Sequence, residues 1–101
     1  MIDHTSLERY ITETRPRFED LLGQMVEIPS ISMDPAKASD IRRMAEFAQQ
    51  VLTDLGTQAQ IVETGGYPIV SGGWMTGAHH PTVTIYNHMD VQPAQEREWK
   101  Q

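Results

Sequence analysis

His88 and Asp90 stand two residues apart in the segment Tyr86-Asn87-His88-Met89-Asp90-Val91-Gln92-Pro93-Ala94, at the end of an apolar run. In an extended chain, residues two apart point to the same side, so this imidazole and this carboxylate can face one site. An imidazole so placed can ligate a metal ion through one ring nitrogen while the other gives its proton to the carboxylate, which fixes tautomer and orientation. One His does not make a metal site, because a catalytic ion takes three protein ligands and an open position. Taken alone, the pair is a weak signal and reads more simply as a surface loop that follows a strand. Cysteine is absent, which excludes thiolate sites and disulfides. Any metal must be held by His and carboxylates, a ligand set better matched to a catalytic ion than to a structural one.

Other residues invite chemistry less well. His79-His80 is a neighbouring pair, but adjacent side chains diverge, and Gly77, Ala78 and Pro81 around them describe a solvated turn. His4 lies near a helix start and reads as a surface residue. Ser30 and Ser32 have no Gly-x-Ser-x-Gly elbow around them, so loop hydrogen bonding is their expected role rather than nucleophilic attack. The pairs Gly65-Gly66 and Gly72-Gly73 match neither a dinucleotide fingerprint nor a phosphate-binding loop.

The elements that must position His88 and Asp90 follow from periodicity. Residues 5 to 28 carry Phe18, Leu21, Leu22, Met25 and Val26 at helical spacing. Pro16 is disfavoured inside a helix, so a short N-terminal helix is expected to break near Thr14, which would cap a second one, with Pro29 ending it. Residues 30 to 38 form a loop, and Ser39 or Asp40 is the expected cap of the next helix. There Ile41, Met44, Ala45, Ala48, Val51, Leu52 and Leu55 repeat at helical spacing until Gly56 stops them. Met25 and Met44 fall on the apolar faces and are expected to pack in the core.

After Gly56 the period becomes two. Ala59 and Ile61 alternate with polar residues as in a half-buried strand, and Gly65 to Pro68 is a turn. Ile69 to Met75 is a second strand that Gly72-Gly73 weakens or bulges. Thr76 to Pro81 is a hairpin turn, and Thr82 to Tyr86 is a third strand. The expected class is α/β: two main N-terminal helices followed by about three strands of an incomplete mixed sheet, with much apolar surface uncovered.

Composition bounds the rest. The 101 residues, 39% apolar and 22% charged, suit one folded domain over 1–101 and leave no room for two. The formal net charge is −6 without a basic patch, which argues against a nucleic-acid partner. The N-terminus lacks the pattern of a signal peptide and no window approaches a membrane span, so a cytoplasmic location is the expectation.

The run from Pro81 to Ala94, with Glu98-Trp99 after it, closely resembles the first metal-binding block of the M20 family of zinc metallopeptidases, and its Val91-Gln92-Pro93 part is most similar to the dipeptidase branch. The resemblance extends to Val26-Glu27-Ile28-Pro29-Ser30-Ile31-Ser32, to the helix ending Leu55-Gly56 and to the strand pair after it. It implies a zinc-peptidase-like catalytic domain in which His88 ligates one zinc of a two-zinc site. Asp90 is then the catalytic-site carboxylate that orients His88. Asn87 stands where the family commonly has Gly, and Met89 where it commonly has Tyr, departures that bear on substrate fit and loop geometry rather than on the ligand.

By the same resemblance, a bridging Asp, a Glu general base beside a Glu ligand, a further carboxylate and a final His come later than Gln101. The chain then reads as an N-terminal portion of a peptidase hydrolysing dipeptides or short peptides. By itself it is expected to bind zinc weakly at most and to turn over nothing. Alternatives are an aminoacylase or deacetylase of the same family, and a non-catalytic truncated product or interaction module. A complementary C-terminal portion or self-association would cover the exposed apolar face, and Trp99 is expected to need such a cover too.

Overall fold

The computed structural model describes residues 2–94 and 96–98. Trp99, and with it the expectation attached to it, lies outside these. Two helices and one hairpin make up the frame: α1 (His4–Glu27), a 3-10 turn (Pro35–Lys37), α2 (Ala38–Asp54), β1 (Gln58–Val62) and β2 (Ile69–Gly73), with a second 3-10 turn at Glu96–Glu98.

Helix α1 is one uninterrupted helix with Pro16 inside it, not two helices meeting at Thr14. Thr14 caps nothing; its hydroxyl donates back to the Tyr10 carbonyl at 2.7 Å, as Thr12 does to Glu8 at 2.9 Å. Losing one backbone donor at Pro16 is tolerated because α1 has no buried residue, so water can reach the carbonyl left over. The cap lies further upstream. Asp3 accepts the Ser6 N–H at 2.8 Å and the Ser6 hydroxyl at 3.1 Å.

These bonds, the one from the Ser6 N–H foremost, hold the Asp3 carboxyl below its ordinary value of 3.8. A carboxyl whose pKa is lower folded than unfolded stabilises the folded form fully above the unfolded value, and that contribution disappears as pH falls through the folded one. The N-terminal turn of α1 should therefore fray below about pH 4. The Ser6 amide resonance should report it, and Asp3→Asn, which caps without titrating, should remove this pH dependence.

Helix α2 begins without a side-chain cap at Lys37. The sequence expectation of Ser39 or Asp40 is corrected by the 3-10 turn ahead of it, which Asp34 caps by accepting the Ala36 N–H at 3.0 Å. Asp40 pairs instead with Arg43. The other end matches the expected stop. Gly56 has φ +88, its N–H donates to Thr53 O at 2.9 Å and the Thr57 N–H to Leu52 O at 3.1 Å, the bond pattern of a Schellman motif.

Strands β1 and β2 pair antiparallel from Gln58↔Gly73 to Val62↔Ile69 with no extra residue, so the expected weakening at Gly72-Gly73 is not a bulge. Ala59, Ile61 and Val70 are the half-buried positions of the hairpin. Gly72 is closely packed. A Cβ there would sit 3.0 Å from Thr57 Oγ1 and 3.3 Å from Leu52 Cδ1, so its bare backbone lets α2 approach the sheet.

The third strand expected over Thr82 to Tyr86 is absent, and the sheet among the described residues is a two-stranded hairpin. Val83, Ile85 and Tyr86 are exposed. Alternating apolar residues form a strand only where a neighbouring ladder and a buried face accept them, and neither lies beside this segment.

The core sits between α2 and the hairpin. Among the described residues the buried apolar side chains are Ile28, Met44, Ala45 and Ala48. Met44 is buried as expected, whereas Met25 is only half-buried. It lies in an open groove lined by Phe18 and Leu22 of α1 and by Val51 of α2 and Leu55 at its end. The chain has extents of 46 × 37 × 18 Å and a radius of gyration of 16.5 Å, against about 13 Å for a compact domain of this length. That flat shape is why so much of α1's apolar face is open. No helix among the described residues is long and apolar enough to cross a membrane.

Candidate metal-ligand site

The segment carrying His88 is anchored on a buried stretch of the chain. After α1 ends, Ile28 is 7% and Ser30 0% exposed, and successive short backbone bonds, Ser30 N–H to Ile28 O and Ile31 N–H to Pro29 O, fold the segment tightly. The Ser30 carbonyl accepts the Val91 N–H at 3.1 Å, and the Ser32 hydroxyl donates to Asp90 Oδ2 at 2.6 Å. The Tyr67 hydroxyl, from the turn between β1 and β2, donates to the Ser32 carbonyl at 2.8 Å. Loop, hairpin and His-x-Asp segment are thereby joined at one place.

On this support Asp90 Oδ1 lies 3.0 Å from His88 Nδ1. The sequence expectation that the two residues share one side holds, although the segment is not a strand. A carboxylate only accepts hydrogen bonds, which assigns the imidazole proton to Nδ1 and leaves the Nε2 lone pair free. The His88 side chain is 82% exposed and that of Asp90 31%, so the supported ring is open to solvent. The Ser32 hydroxyl, with a smaller contribution from His88, holds the Asp90 carboxyl below its ordinary value, against the opposing effect of burial. Asp90 is thus a carboxylate at neutral pH.

The donor set fits one metal ligand. Imidazole Nε2 with its other nitrogen bonded to a carboxylate is the usual state of a ligating His. Among the described residues, however, no three His, Asp or Glu side chains come together to hold an ion. His79 and His80 lie in an exposed turn closed by the His80 N–H on Gly77 O, and His4 faces Glu8 on the surface of α1.

Ser32 is the residue at this site that the local pattern does not single out, because its partner is 58 positions away. The only sequence signal for it is its place in the Ile28-Pro29-Ser30-Ile31-Ser32 phrase.

No family model matches the chain, and no solved structure matches it. Curated relatives do. The chain is similar to metallodipeptidases. It is 34% identical over 104 residues to the Cys-Gly metallodipeptidase DUG1 of Candida albicans, covering 89% of this chain and 21% of that protein. It is 33% identical over 98 residues to the Cys-Gly metallodipeptidase dug1 of Schizosaccharomyces pombe, covering 87% and 21%. The Beta-Ala-His dipeptidase of Rattus norvegicus is 29% identical over 105 residues, covering 91% and 21%. The chain therefore spans about a fifth of the length of the curated relatives it matches.

Proposed function

We propose that this chain contributes one zinc ligand, His88, and its orienting carboxylate, Asp90, to an M20-type dipeptidase site whose remaining ligands and general base are not among the residues described. The observation that carries this reading is the Nδ1–Asp90 bond, which leaves Nε2 free on an exposed and supported ring. The relatives supply the reaction class, since dipeptidase names recur among them in two substrate varieties. When bound, zinc supplies Lewis acidity and an acidified water at neutral pH. The residues of this chain do the positioning. Asp90 holds the Nδ1 proton and so keeps His88 in the ligating tautomer, and the carboxylate charge makes the imidazole a stronger donor.

Cleavage of a dipeptide panel set against N-acyl amino acids, in zinc-supplemented full-length protein, tests the reading. Faster turnover of dipeptides is expected. Preference for N-acyl substrates would move the protein to the aminoacylase or deacetylase side of the family. A second reading, a non-catalytic module docking on a complementary half or on itself, draws on α1's uncovered apolar face, where Phe18 is 63% and Val26 60% exposed. Zinc titration of the full-length protein separates the two, since stoichiometric binding that shifts the His88 ring resonances belongs only to the first.

A further inference from the structure

We propose that Ser32 is a positioning residue for the His88 ligand, its hydroxyl holding the Asp90 carboxylate in the rotation that receives the Nδ1 proton. The proposal rests on the reading of His88 as a ligand and extends it to a residue of the loop after α1. Asp90 has two oxygens, and each has a side-chain partner among the described residues: Oδ2 takes the Ser32 hydroxyl at 2.6 Å and Oδ1 faces His88 Nδ1 at 3.0 Å. A carboxylate gripped at one oxygen cannot turn about its terminal bond without losing that hydrogen bond, so the second oxygen is presented to the imidazole in a fixed direction. Without the grip, an 82% exposed ring and a partly exposed carboxylate would sample many relative orientations in water.

Ser32 is itself held. Its carbonyl accepts the Tyr67 hydroxyl, and two residues earlier the fully buried Ser30 takes the Val91 N–H on its own carbonyl. The bonds Ser30 O to Val91 N–H and Ser32 Oγ to Asp90 Oδ2 flank the carboxylate on backbone and side chain. Rigidity then passes from the buried loop to Asp90 and from Asp90 to the ring. Such supporting bonds around a ligating His are typically worth about 10–100-fold in metal affinity.

The test reads the His88 tautomer in metal-free protein by nitrogen-15 NMR of labelled histidine, at a pH where the ring is neutral, with His79 and His80 as internal references. The wild type should show His88 mainly as the Nδ1–H tautomer. Ser32→Ala should lose that bias and give a mixture close to that of His79 and His80, and Ser32→Thr, which keeps the hydroxyl, should restore it. Should Ser32→Ala fail to fold, Ser32→Cys keeps the side-chain size with a weaker donor and should give an intermediate ratio. An unchanged ratio in either the Ala or the Cys variant overturns the proposal. Adding zinc to the full-length protein then tests the parent reading separately. A tautomer bias that depends on Ser32, with no zinc-induced shift at His88, would leave Ser32's role standing and remove the ligand assignment.

Discussion

Replacing His88 by Ala is expected to abolish dipeptide hydrolysis by the zinc-loaded full-length protein while leaving the fold intact. The two halves of that expectation come from different facts. The His88 side chain is 82% exposed and its one described contact is to Asp90, so its removal should change stability by no more than about 0.5 kcal/mol. On the function proposed it is a ligand without a ready replacement, because among the described residues no group of three His, Asp or Glu gathers around it. Asp90→Ala should be milder, lowering zinc affinity or kcat/KM by about 10–100-fold, since Nε2 remains and only its orientation and donor strength are lost. Steady-state kinetics at saturating zinc, paired with thermal melts, gives the order His88→Ala below Asp90→Ala below wild type. Near-normal turnover in His88→Ala would sink the ligand assignment.

The parts of this architecture legible in the sequence are those written in local patterns. The stripe through Met44, Ala45 and Ala48, the stop at Gly56 and the alternation at Ala59 and Ile61 each involve neighbours within a few residues, and each gives the element seen. Local rules misjudged Pro16 because they treat a lost hydrogen bond as if it were buried, and no residue of α1 is buried. They misjudged residues 82–86 because strand formation depends on a neighbouring ladder that no local pattern encodes. The site divides the same way. His88 and Asp90 are two residues apart and could be paired from spacing, whereas the Ser32 hydroxyl and the Tyr67 hydroxyl reach their partners across 58 and 35 positions, distances over which only the folded chain decides proximity.

The largest stability effect should come from Met44→Ala. Met44 is 2% exposed and lies with Ala45 and Ala48 on the buried stripe of α2. Truncating a buried Met to Ala removes its transfer free energy and leaves a cavity that neighbours fill only in part, a loss of about 2–5 kcal/mol. Small domains are stable by about 5–15 kcal/mol, and one with four buried apolar side chains among its described residues belongs at the low end. The substitution should therefore remove a large part of the stability, seen as a sharp drop in the urea midpoint with unchanged slope. Phe18→Ala is the informative control. With Phe18 63% exposed on α1, its truncation should cost no more than about 0.5 kcal/mol in the chain alone. A loss at Phe18 as large as at Met44 would mean that the open face of α1 is covered in solution, and repeating the melt across a hundredfold range of concentration would show whether a second copy supplies the cover.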